Sequence, residues 1–135
     1  AYLLKDNLSI MLICGFATML GHVYPIFYNF KGGKGAGTLL GILIIALPGS
    51  VVYIISTWII SLILFGYVGL STMLGVSTLL AYCILISTSY HFILFSICAL
   101  LFIIYTHREN IQRMKNGDEN QFSKIMLFKN KKGSI

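Results

Sequence analysis

The stretch "GAGTLLGILIIALPGSVVYIISTWIISLILFGYVGLSTMLGVSTLLAYCILISTSYHFILFSICALLFIIYTH", Gly35 to His107, decides the fold. Its 73 residues contain no Asp, Glu, Lys or Arg. One membrane crossing needs ~20 apolar residues to cover a hydrocarbon core of ~30 Å. The run is therefore long enough for several crossings. Because backbone polar groups in lipid must be paired within the segment, we expect an all-α membrane protein.

The composition of the whole chain agrees with this class. Of its 135 residues, 57% are hydrophobic and 10% are charged, whereas ~25% are charged in an average soluble domain. Glycine, proline and polar clusters separate the apolar blocks. These blocks run from Leu8 to Phe30, Gly41 to Leu47, Val51 to Phe65, Leu70 to Ser87 and Phe92 to Tyr105. We expect a multi-span transmembrane helix bundle with about four to five spans, forming a single transmembrane domain over residues 1–135. The short second block is either a kinked or tilted span or a re-entrant segment.

Charge predicts the orientation of the bundle. Nine of the ten basic residues fall in two groups, one at Lys31 and Lys34 and one from Arg108 to Lys132. Since basic residues gather on the cytoplasmic side, we expect both groups in the cytoplasm, with Lys5 and Asp6 outside. This predicts a multi-pass protein of the cell membrane. Residues 116–135 are expected to be a polar, basic cytoplasmic tail near lipid headgroups, with no nucleic-acid partner.

A glycine-rich loop, "KGGKG", interrupts the apolar sequence before Gly35–His107 begins. It combines unshielded backbone amides and two ammonium groups with the start of a helix, which together favour an anion such as phosphate. The residues expected to bind phosphate are Lys31, Gly32, Gly33, Lys34 and Gly35. It is not a Walker A loop, because Tyr28 stands where the first glycine is required. The alternative is that the lysines only anchor a helix at the headgroups while the glycines form a turn.

The second polar segment is "THRENIQRMKNGDE", Thr106 to Glu119. A helix is predicted from Thr106 to Lys115, with Asn116-Gly117 as its stop signal. His107, Asn110 and Arg113 are spaced three apart and share one side of this helix, and Glu109 is placed to pair with Arg113. The sequence shows no serine or cysteine nucleophile with an evident partner. The histidines also lack metal-ligand spacing, so we expect neither a metal nor a cofactor.

Two motifs resemble one enzyme family closely. "GHVYPIFYNFKGGKG" is similar to the second motif, and "HRENIQRMKNGDE" to the third, of the integral-membrane acyl-phosphate:glycerol-3-phosphate acyltransferases called PlsY. The resemblance extends over almost the whole chain. It implies transfer of a fatty acyl group from acyl phosphate to the 1-hydroxyl of glycerol 3-phosphate in bacterial phospholipid synthesis, giving lysophosphatidic acid. An acyl phosphate is already activated, so orientation and charge stabilisation can supply much of the rate.

The resemblance also implies roles for individual residues. Gly32, Gly33 and Lys34 would hold phosphate, and His107 and Asn110 would be the catalytic residues, in contact with glycerol 3-phosphate or the reacting centre. His107 would act either as a base or as a hydrogen-bond donor, with a substrate phosphate accepting the proton in the second case. Arg113 is expected to add a phosphate contact. His22, which would shape the loop from its membrane side, and Arg108 are expected to support the site. The implied partners are the two substrates and membrane lipids.

The chain also departs from the family pattern. The family's first motif is absent, and the chain opens at Ala1 without an initiator Met, so it looks like the C-terminal two-thirds of a member or a shortened member. The turn Tyr67 to Leu70 carries Gly69 where the family usually has a serine. Because an unpaired phosphate in a partly desolvated site is costly, we expect weak or no activity from this chain alone. The alternative is a non-catalytic or truncated paralogue that binds glycerol 3-phosphate or lipid, or that partners another membrane protein.

Overall fold

The computed structural model describes residues 7–86 and 89–122. Lys5 and Asp6, expected on the outer face, lie outside the described residues, and so do the tail lysines from Lys124 to Lys132. Within the described part the chain forms six α-helices, which confirms the all-α class. They are α1 (Leu8–Val23), α2 (Ala36–Ala46), α3 (Pro48–Phe65), α4 (Val68–Leu85), α5 (Tyr90–Thr106) and α6 (Arg108–Asn116), with a short 3₁₀ turn at Ile26–Tyr28.

The helices begin and end where the sequence supplies caps and breakers. Asn7 caps α1, because its side chain accepts a hydrogen bond from the amide of Ile10 at 3.3 Å. Pro48 stands at the first position of α3, where its missing N–H costs no helical hydrogen bond. Gly66 ends α3 in the left-handed conformation, with φ 73°. Local chemistry therefore sets these boundaries.

Among the described residues, three helices are long and apolar enough to cross a membrane, and a fourth span is reached if α5 and α6 are taken as one span bent by 52°. The observed number of spans is therefore at most four, the lower limit of the predicted four to five. The short block after Gly35 accounts for the difference. It forms α2, which has only 11 residues and is ~16 Å long, about half the thickness of the hydrocarbon core.

The chain runs up and down through the bundle. Trp58 in α3 donates from Nε1 to Thr72 Oγ1 in α4 at 3.3 Å, and Gly49 at the start of α3 lies beside the Tyr82 hydroxyl near the end of α4. These two helices are therefore antiparallel. At the other end, a hydrogen bond joins Lys34, just before α2, to a residue of α6. The two polar segments thus lie at the same end of the bundle, as the charge pattern predicted, and the end with this pair is called the polar end below.

The buried core is a set of apolar residues shared among the helices. Met19 of α1, Leu43 of α2 and Ile103 of α5 are all fully buried. The outer surface is apolar as well, since Ile13 and Val52 are each 67% exposed and Leu85 is 80% exposed. Apolar surface of this extent is unusual for a soluble monomer and is suited to lipid tails. The helix faces therefore agree with a membrane environment.

Candidate functional site

The glycine loop folds back onto the end of α1. After the 3₁₀ turn, Asn29 and Phe30 adopt left-handed backbone angles, with φ of 53° and 58°. Such angles are uncommon for residues other than glycine. They reverse the chain so that the Gly32 amide donates to the Val23 carbonyl at 3.1 Å and the Gly33 amide to the His22 carbonyl at 3.3 Å. The loop is thus tied to the last turn of α1.

This tie changes the role expected of Gly32 and Gly33. Their amides were predicted to be free for an anion, but both are used by α1 carbonyls. Glycine is required at these two positions because the backbone of the loop passes very close to the end of α1. A Cβ at Gly32 would lie 2.7 Å from Pro25 Cδ, and a Cβ at Gly33 would overlap the His22 imidazole. The His22 imidazole therefore lies directly against the loop at Gly33.

The donors that remain are the next amides along the chain. Within the part of the chain that the structure describes, the amides of Lys34, Gly35 and Ala36 donate to no acceptor. Gly35 precedes α2 in the left-handed conformation, with φ 84°. These amides lie at the positive end of the α2 dipole, where an anion is stabilised. The loop amides that are left free for an anion are thus in its C-terminal half.

Lys34 connects this half of the loop to α5 and α6. Its carbonyl accepts a hydrogen bond from Thr106 Oγ1 at 3.0 Å, and its Nζ donates to Asn110 Oδ1. Thr106 and Asn110 are both buried, with exposures of 8% and 6%. Because side chain and backbone of Lys34 are both engaged, its ammonium group is held at a defined position in the polar end.

Glu119 completes the network and was not predicted as a site residue. Its Oε1 accepts from Asn110 Nδ2 at 2.5 Å, and its Oε2 accepts from Arg113 Nε at 2.6 Å. The expected pair between Glu109 and Arg113 is wrong for the described residues, because Arg113 pairs with Glu119. The left-handed Gly117, with φ 81°, reverses the chain after α6 and makes this contact possible. The signal was present in the Gly-Asp-Glu that follows the helix.

The network runs from Lys34 through Asn110 and Glu119 to Arg113. Burial favours a raised pKa for the Glu119 carboxyl, but hydrogen bonds from Arg113 and Asn110 and the charges of Arg113 and Lys34 outweigh it, so its pKa is lowered. Glu119 is therefore an anion at neutral pH, although its side chain is only 9% exposed.

Residues 117–122, which belong to the segment expected to be a polar tail, return to the site instead. The Phe122 amide donates to the Gly66 carbonyl at 2.9 Å.

His107 lies between α5 and α6, beyond the last residue of the α5 span. Its Nδ1 donates to the Ile103 carbonyl at 2.8 Å, which leaves Nε2 as the acceptor nitrogen of the neutral ring. Burial lowers the pKa of His107, and the charge of Lys34 lowers it further. The hydrogen bond to Ile103 and the charge of Glu119 raise it, but the net effect is a lowered pKa. The ring is therefore neutral at pH 7, and Nε2 can accept a proton.

Arg108, Lys31 and His22 are predicted site residues whose side chains do not join this network. Arg108 turns to Tyr105, with its Cζ 4.6 Å from the ring centroid and its Nη1 donating to the Tyr105 carbonyl at 3.1 Å. Lys31 is exposed, and its amide donates to the Tyr28 carbonyl at 3.0 Å. His22 contacts the loop at Gly33. The structure thus brings together Lys34, His107, Asn110 and Arg113 from the predicted set.

Gly69 lies against the network from the first turn of α4. A Cβ added there would be 3.0 Å from Asn110 Cβ and 3.1 Å from Asn110 Cγ. The small residue therefore allows Asn110 to pack directly on the α4 backbone. Gly69 lacks the hydroxyl that a serine would supply at this position. The Asn110 side chain lies against the Gly69 backbone in its place.

Comparison with known proteins gives a consistent result. A family model described as glycerol-3-phosphate acyltransferase matches residues 1–117. Three similar proteins bear the name glycerol-3-phosphate acyltransferase. They come from Geotalea daltonii (36% identical over 110 residues, 82% of this chain and 57% of the relative), Pelagibacter ubique (40% over 110 residues, 81% and 56%) and Aquifex aeolicus (34% over 115 residues, 84% and 59%).

Solved structures agree with these sequence relatives. The chain is similar to crystal structures of PlsY, an integral membrane glycerol 3-phosphate acyltransferase, in a glycerol 3-phosphate form and a lysophosphatidic acid form. For each, the TM-score is 0.81, the identity is 31% and 84% of this chain is covered. This chain spans only 57% of the first structure and 56 to 59% of the three sequence relatives.

Proposed function

Because this chain belongs to the glycerol-3-phosphate acyltransferase family, we propose that it transfers an acyl group from an acyl phosphate to the 1-hydroxyl of glycerol 3-phosphate. The products are lysophosphatidic acid and inorganic phosphate. One observation carries the proposal: the Lys34 ammonium is bonded to Asn110 at the polar end, and Thr106, whose hydroxyl donates to the Lys34 carbonyl, adjoins the ring of His107. A cation, an amide and a proton acceptor thus meet where water and lipid adjoin.

The phosphate of glycerol 3-phosphate binds at the C-terminal half of the glycine loop. Lys34 supplies an ammonium group, and the free amides of Gly35 and Ala36 supply neutral donors. Arg113 adds a guanidinium group whose Nε alone is bound to Glu119. Its Nη groups remain available for a phosphate oxygen, since guanidinium carries five N–H donors. Lys31, Gly32 and Gly33 support this half of the loop, and Arg108 supports the helix behind it.

The chemical step needs no enzyme-bound intermediate. The 1-hydroxyl oxygen forms a bond to the acyl carbonyl carbon, and the bond from that carbon to the phosphate oxygen breaks. The electron pair leaves with phosphate, and the hydroxyl proton moves to Nε2 of His107 and then to the departing phosphate. The amide of Asn110 orients the glycerol part. Positioning the two substrates in this way is worth several powers of ten in rate.

We also propose that the polar end faces the cytoplasm, as part of a single transmembrane domain over residues 1–135. All basic residues of the described part lie at that end, in the loop and α6. The test uses a chain with Cys14, Cys83 and Cys98 changed to serine, carrying one cysteine at either Lys115 or Ser89. In intact cells, an impermeant maleimide is expected to label the Ser89 variant only. Labelling of the Lys115 variant alone would reverse the orientation.

The direct test of function is formation of lysophosphatidic acid by the purified chain. Glycerol 3-phosphate is supplied with either palmitoyl phosphate or palmitoyl-CoA, and wild type is compared with Lys34→Ala and Lys115→Ala. We expect weak product formation, from palmitoyl phosphate only, which is lost in Lys34→Ala and retained in Lys115→Ala, because Lys115 is exposed on α6 outside the network. Product from palmitoyl-CoA alone would exclude the acyl-phosphate donor.

One observation favours a second candidate, binding without turnover. Glu119 already occupies Arg113 Nε and Asn110 Nδ2 with an anionic group, so a substrate phosphate can reach only the Nη groups of Arg113 unless Glu119 is displaced. If titration calorimetry detects glycerol 3-phosphate binding that is lost in Lys34→Ala, while no donor gives product, the chain is a binding protein rather than an enzyme.

A further inference from the structure

The turn that leads from α1 into the glycine loop presents a cluster of apolar side chains on its outer surface. Phe27 is 96% exposed, Ile26 and Tyr28 are each 73% exposed, and Phe30 is 60% exposed. Residues 26–31 are called the aromatic turn below. Exposed apolar side chains that are contiguous in this way indicate a surface for a partner or for lipid.

The backbone of the aromatic turn is fixed by its own hydrogen bonds. The Tyr28 and Phe30 amides both donate to the Pro25 carbonyl, at 3.2 Å and 3.0 Å. The Lys31 amide donates to the Tyr28 carbonyl at 3.0 Å. Phe30 also has a left-handed φ of 58°, which is strained for a residue with a Cβ. The fold therefore holds the turn in one shape, and its paired amides can enter an apolar medium without losing hydrogen bonds.

The length of α1 indicates what this surface contacts. Its 16 residues make a helix of ~24 Å, which is about 6 Å less than a hydrocarbon core of ~30 Å. The apolar span nevertheless continues from Leu8 to Tyr28, over 21 residues. At a rise of ~2 Å per residue, the three residues of the 3₁₀ turn supply ~6 Å. The aromatic turn therefore reaches the boundary between hydrocarbon and lipid headgroups.

The end of α5 independently indicates the same boundary. Tyr105 is 53% exposed, and the Arg108 guanidinium lies over its ring. Tyrosine at the end of a span, followed by a basic residue, is typical of the headgroup level. Tyr24, which precedes the aromatic turn, interacts with Tyr105. The turn is thus attached to the bundle at the level of the headgroups.

We propose that the aromatic turn inserts into the lipid interface and holds the glycine loop at a fixed depth in the membrane. The side chains of Ile26, Phe27 and Phe30 enter the edge of the hydrocarbon. Tyr28 and Lys31 remain at the headgroups, where a hydroxyl and an ammonium group can bind lipid phosphate. The partner of this surface is therefore the bilayer itself.

Insertion of the turn also sets the depth of the proposed site. The Gly32 and Gly33 amides bind the last carbonyls of α1, and Lys34 follows directly. Turn and loop are therefore one rigid unit, so lipid contact of the turn keeps the Lys34 ammonium group at the interface. This inference does not depend on acyl transfer, because it requires only that the chain lies in a membrane.

The first experiment measures the depth of the turn by spin labelling in vesicles of phosphatidylcholine and phosphatidylglycerol. In the cysteine-free chain of the orientation test, a nitroxide is attached at Phe27→Cys. Its collisions with oxygen, which enters hydrocarbon, are compared with its collisions with a water-soluble nickel chelate. The lipid reference is Val52→Cys, 67% exposed on α3, and the water reference is Lys115→Cys, exposed on α6.

We expect the oxygen-to-nickel ratio at Phe27→Cys to be well above that of Lys115→Cys and to approach that of Val52→Cys. A ratio equal to that of Lys115→Cys would place the turn in water. Protection from both reagents would place it under protein, such as a second copy of the chain or another segment. Either of these results would overturn the proposal.

A second experiment tests whether the Phe27 ring holds the loop at this depth. The nitroxide is moved to Lys31→Cys, and Phe27→Ser and Phe27→Trp are compared with the unchanged turn. Because Phe27 is 96% exposed, neither replacement disturbs the packing of the bundle. Phe27→Ser is expected to lower the oxygen-to-nickel ratio of the label, whereas Phe27→Trp keeps an interfacial ring and should preserve it. Equal ratios in all three proteins would refute anchoring by this side chain.

Discussion

Lys34 and Asn110 are 76 positions apart in the chain and are joined by a hydrogen bond from Nζ to Oδ1. The same asparagine donates from Nδ2 to Glu119. The Asn110 amide therefore accepts a hydrogen bond from a cation at Oδ1 and donates one to an anion from Nδ2. This alternation fixes the position of the ammonium group beside the free amides of the loop.

The first prediction concerns the coupling of Lys34 and Asn110. Lys34→Ala and Asn110→Ala are each expected to lower kcat/KM for acyl transfer at least tenfold, since a hydrogen bond to a charged group is worth ~1.5–3 kcal/mol. The double variant should lose much less than the sum of the two free-energy changes, because both substitutions break the same contact. A full double-mutant cycle measures this, and additive losses would show that the two residues act independently.

The second prediction concerns the close approach of Gly33 to His22. Gly33→Ala is expected to lower the thermal unfolding midpoint in detergent and to reduce activity, because the new Cβ overlaps the imidazole. Removing the imidazole in Gly33→Ala/His22→Ala should restore the midpoint. Gly37→Ala is the control, since its Cβ would meet nothing within 4 Å and alanine is the better helix former by ~1 kcal/mol. Equal losses at Gly33 and Gly37 would argue against the contact.

The third prediction concerns the pH dependence contributed by Glu119. Its pKa is lowered in the folded state, despite opposing burial, by Arg113, Asn110 and Lys34. Its ionised form therefore stabilises the fold fully above the unfolded pKa of ~4.3, and this contribution is lost as pH falls through the lower folded pKa. At pH 7, Glu119→Gln should have a lower unfolding midpoint than wild type, and the difference should shrink under acid.

The control for this experiment is Glu109→Gln, which removes a carboxylate of the same helix region. Glu109 is exposed, and its carboxylate has no hydrogen-bond partner within residues 7–86 and 89–122. Its replacement should leave the midpoint within about 1 °C of wild type, as expected for a surface position. If Glu119→Gln behaves in the same way at every pH, the ion pair with Arg113 does not stabilise the fold.

The fourth prediction concerns the proton acceptor. His107→Asn is expected to reduce kcat by 10²–10⁴-fold, the usual contribution of a positioned acid–base group. In wild type, kcat/KM should fall at acidic pH with a midpoint below 6.5, because burial lowers the pKa of His107 and the Lys34 charge adds to this, and together they outweigh the opposing hydrogen bond to Ile103 and the charge of Glu119. The residual activity of His107→Asn should lack this acidic limb. An identical pH profile in both proteins would remove His107 from the proton transfer.

The sequence by itself determined the class of fold and the position of the polar segments. The charge-free run from Gly35 to His107 leaves no soluble alternative, because ionised groups are what a soluble surface requires. The helix after His107 and its stop at Gly117 were also readable, since caps and spacing act over a few residues. The predicted start at Thr106 differs because α5 runs through Thr106 and the bend falls at His107.

Only the tertiary structure decided which groups meet. Helix spacing favoured Glu109 as the partner of Arg113, but the reversal at Gly117 gives that place to Glu119. Exposed amides were expected at Gly32 and Gly33, yet the carbonyls at the end of α1 take them. Local patterns report interactions within a turn or two, whereas these contacts depend on where separate helices end relative to one another. That relative placement is set by packing of the whole bundle.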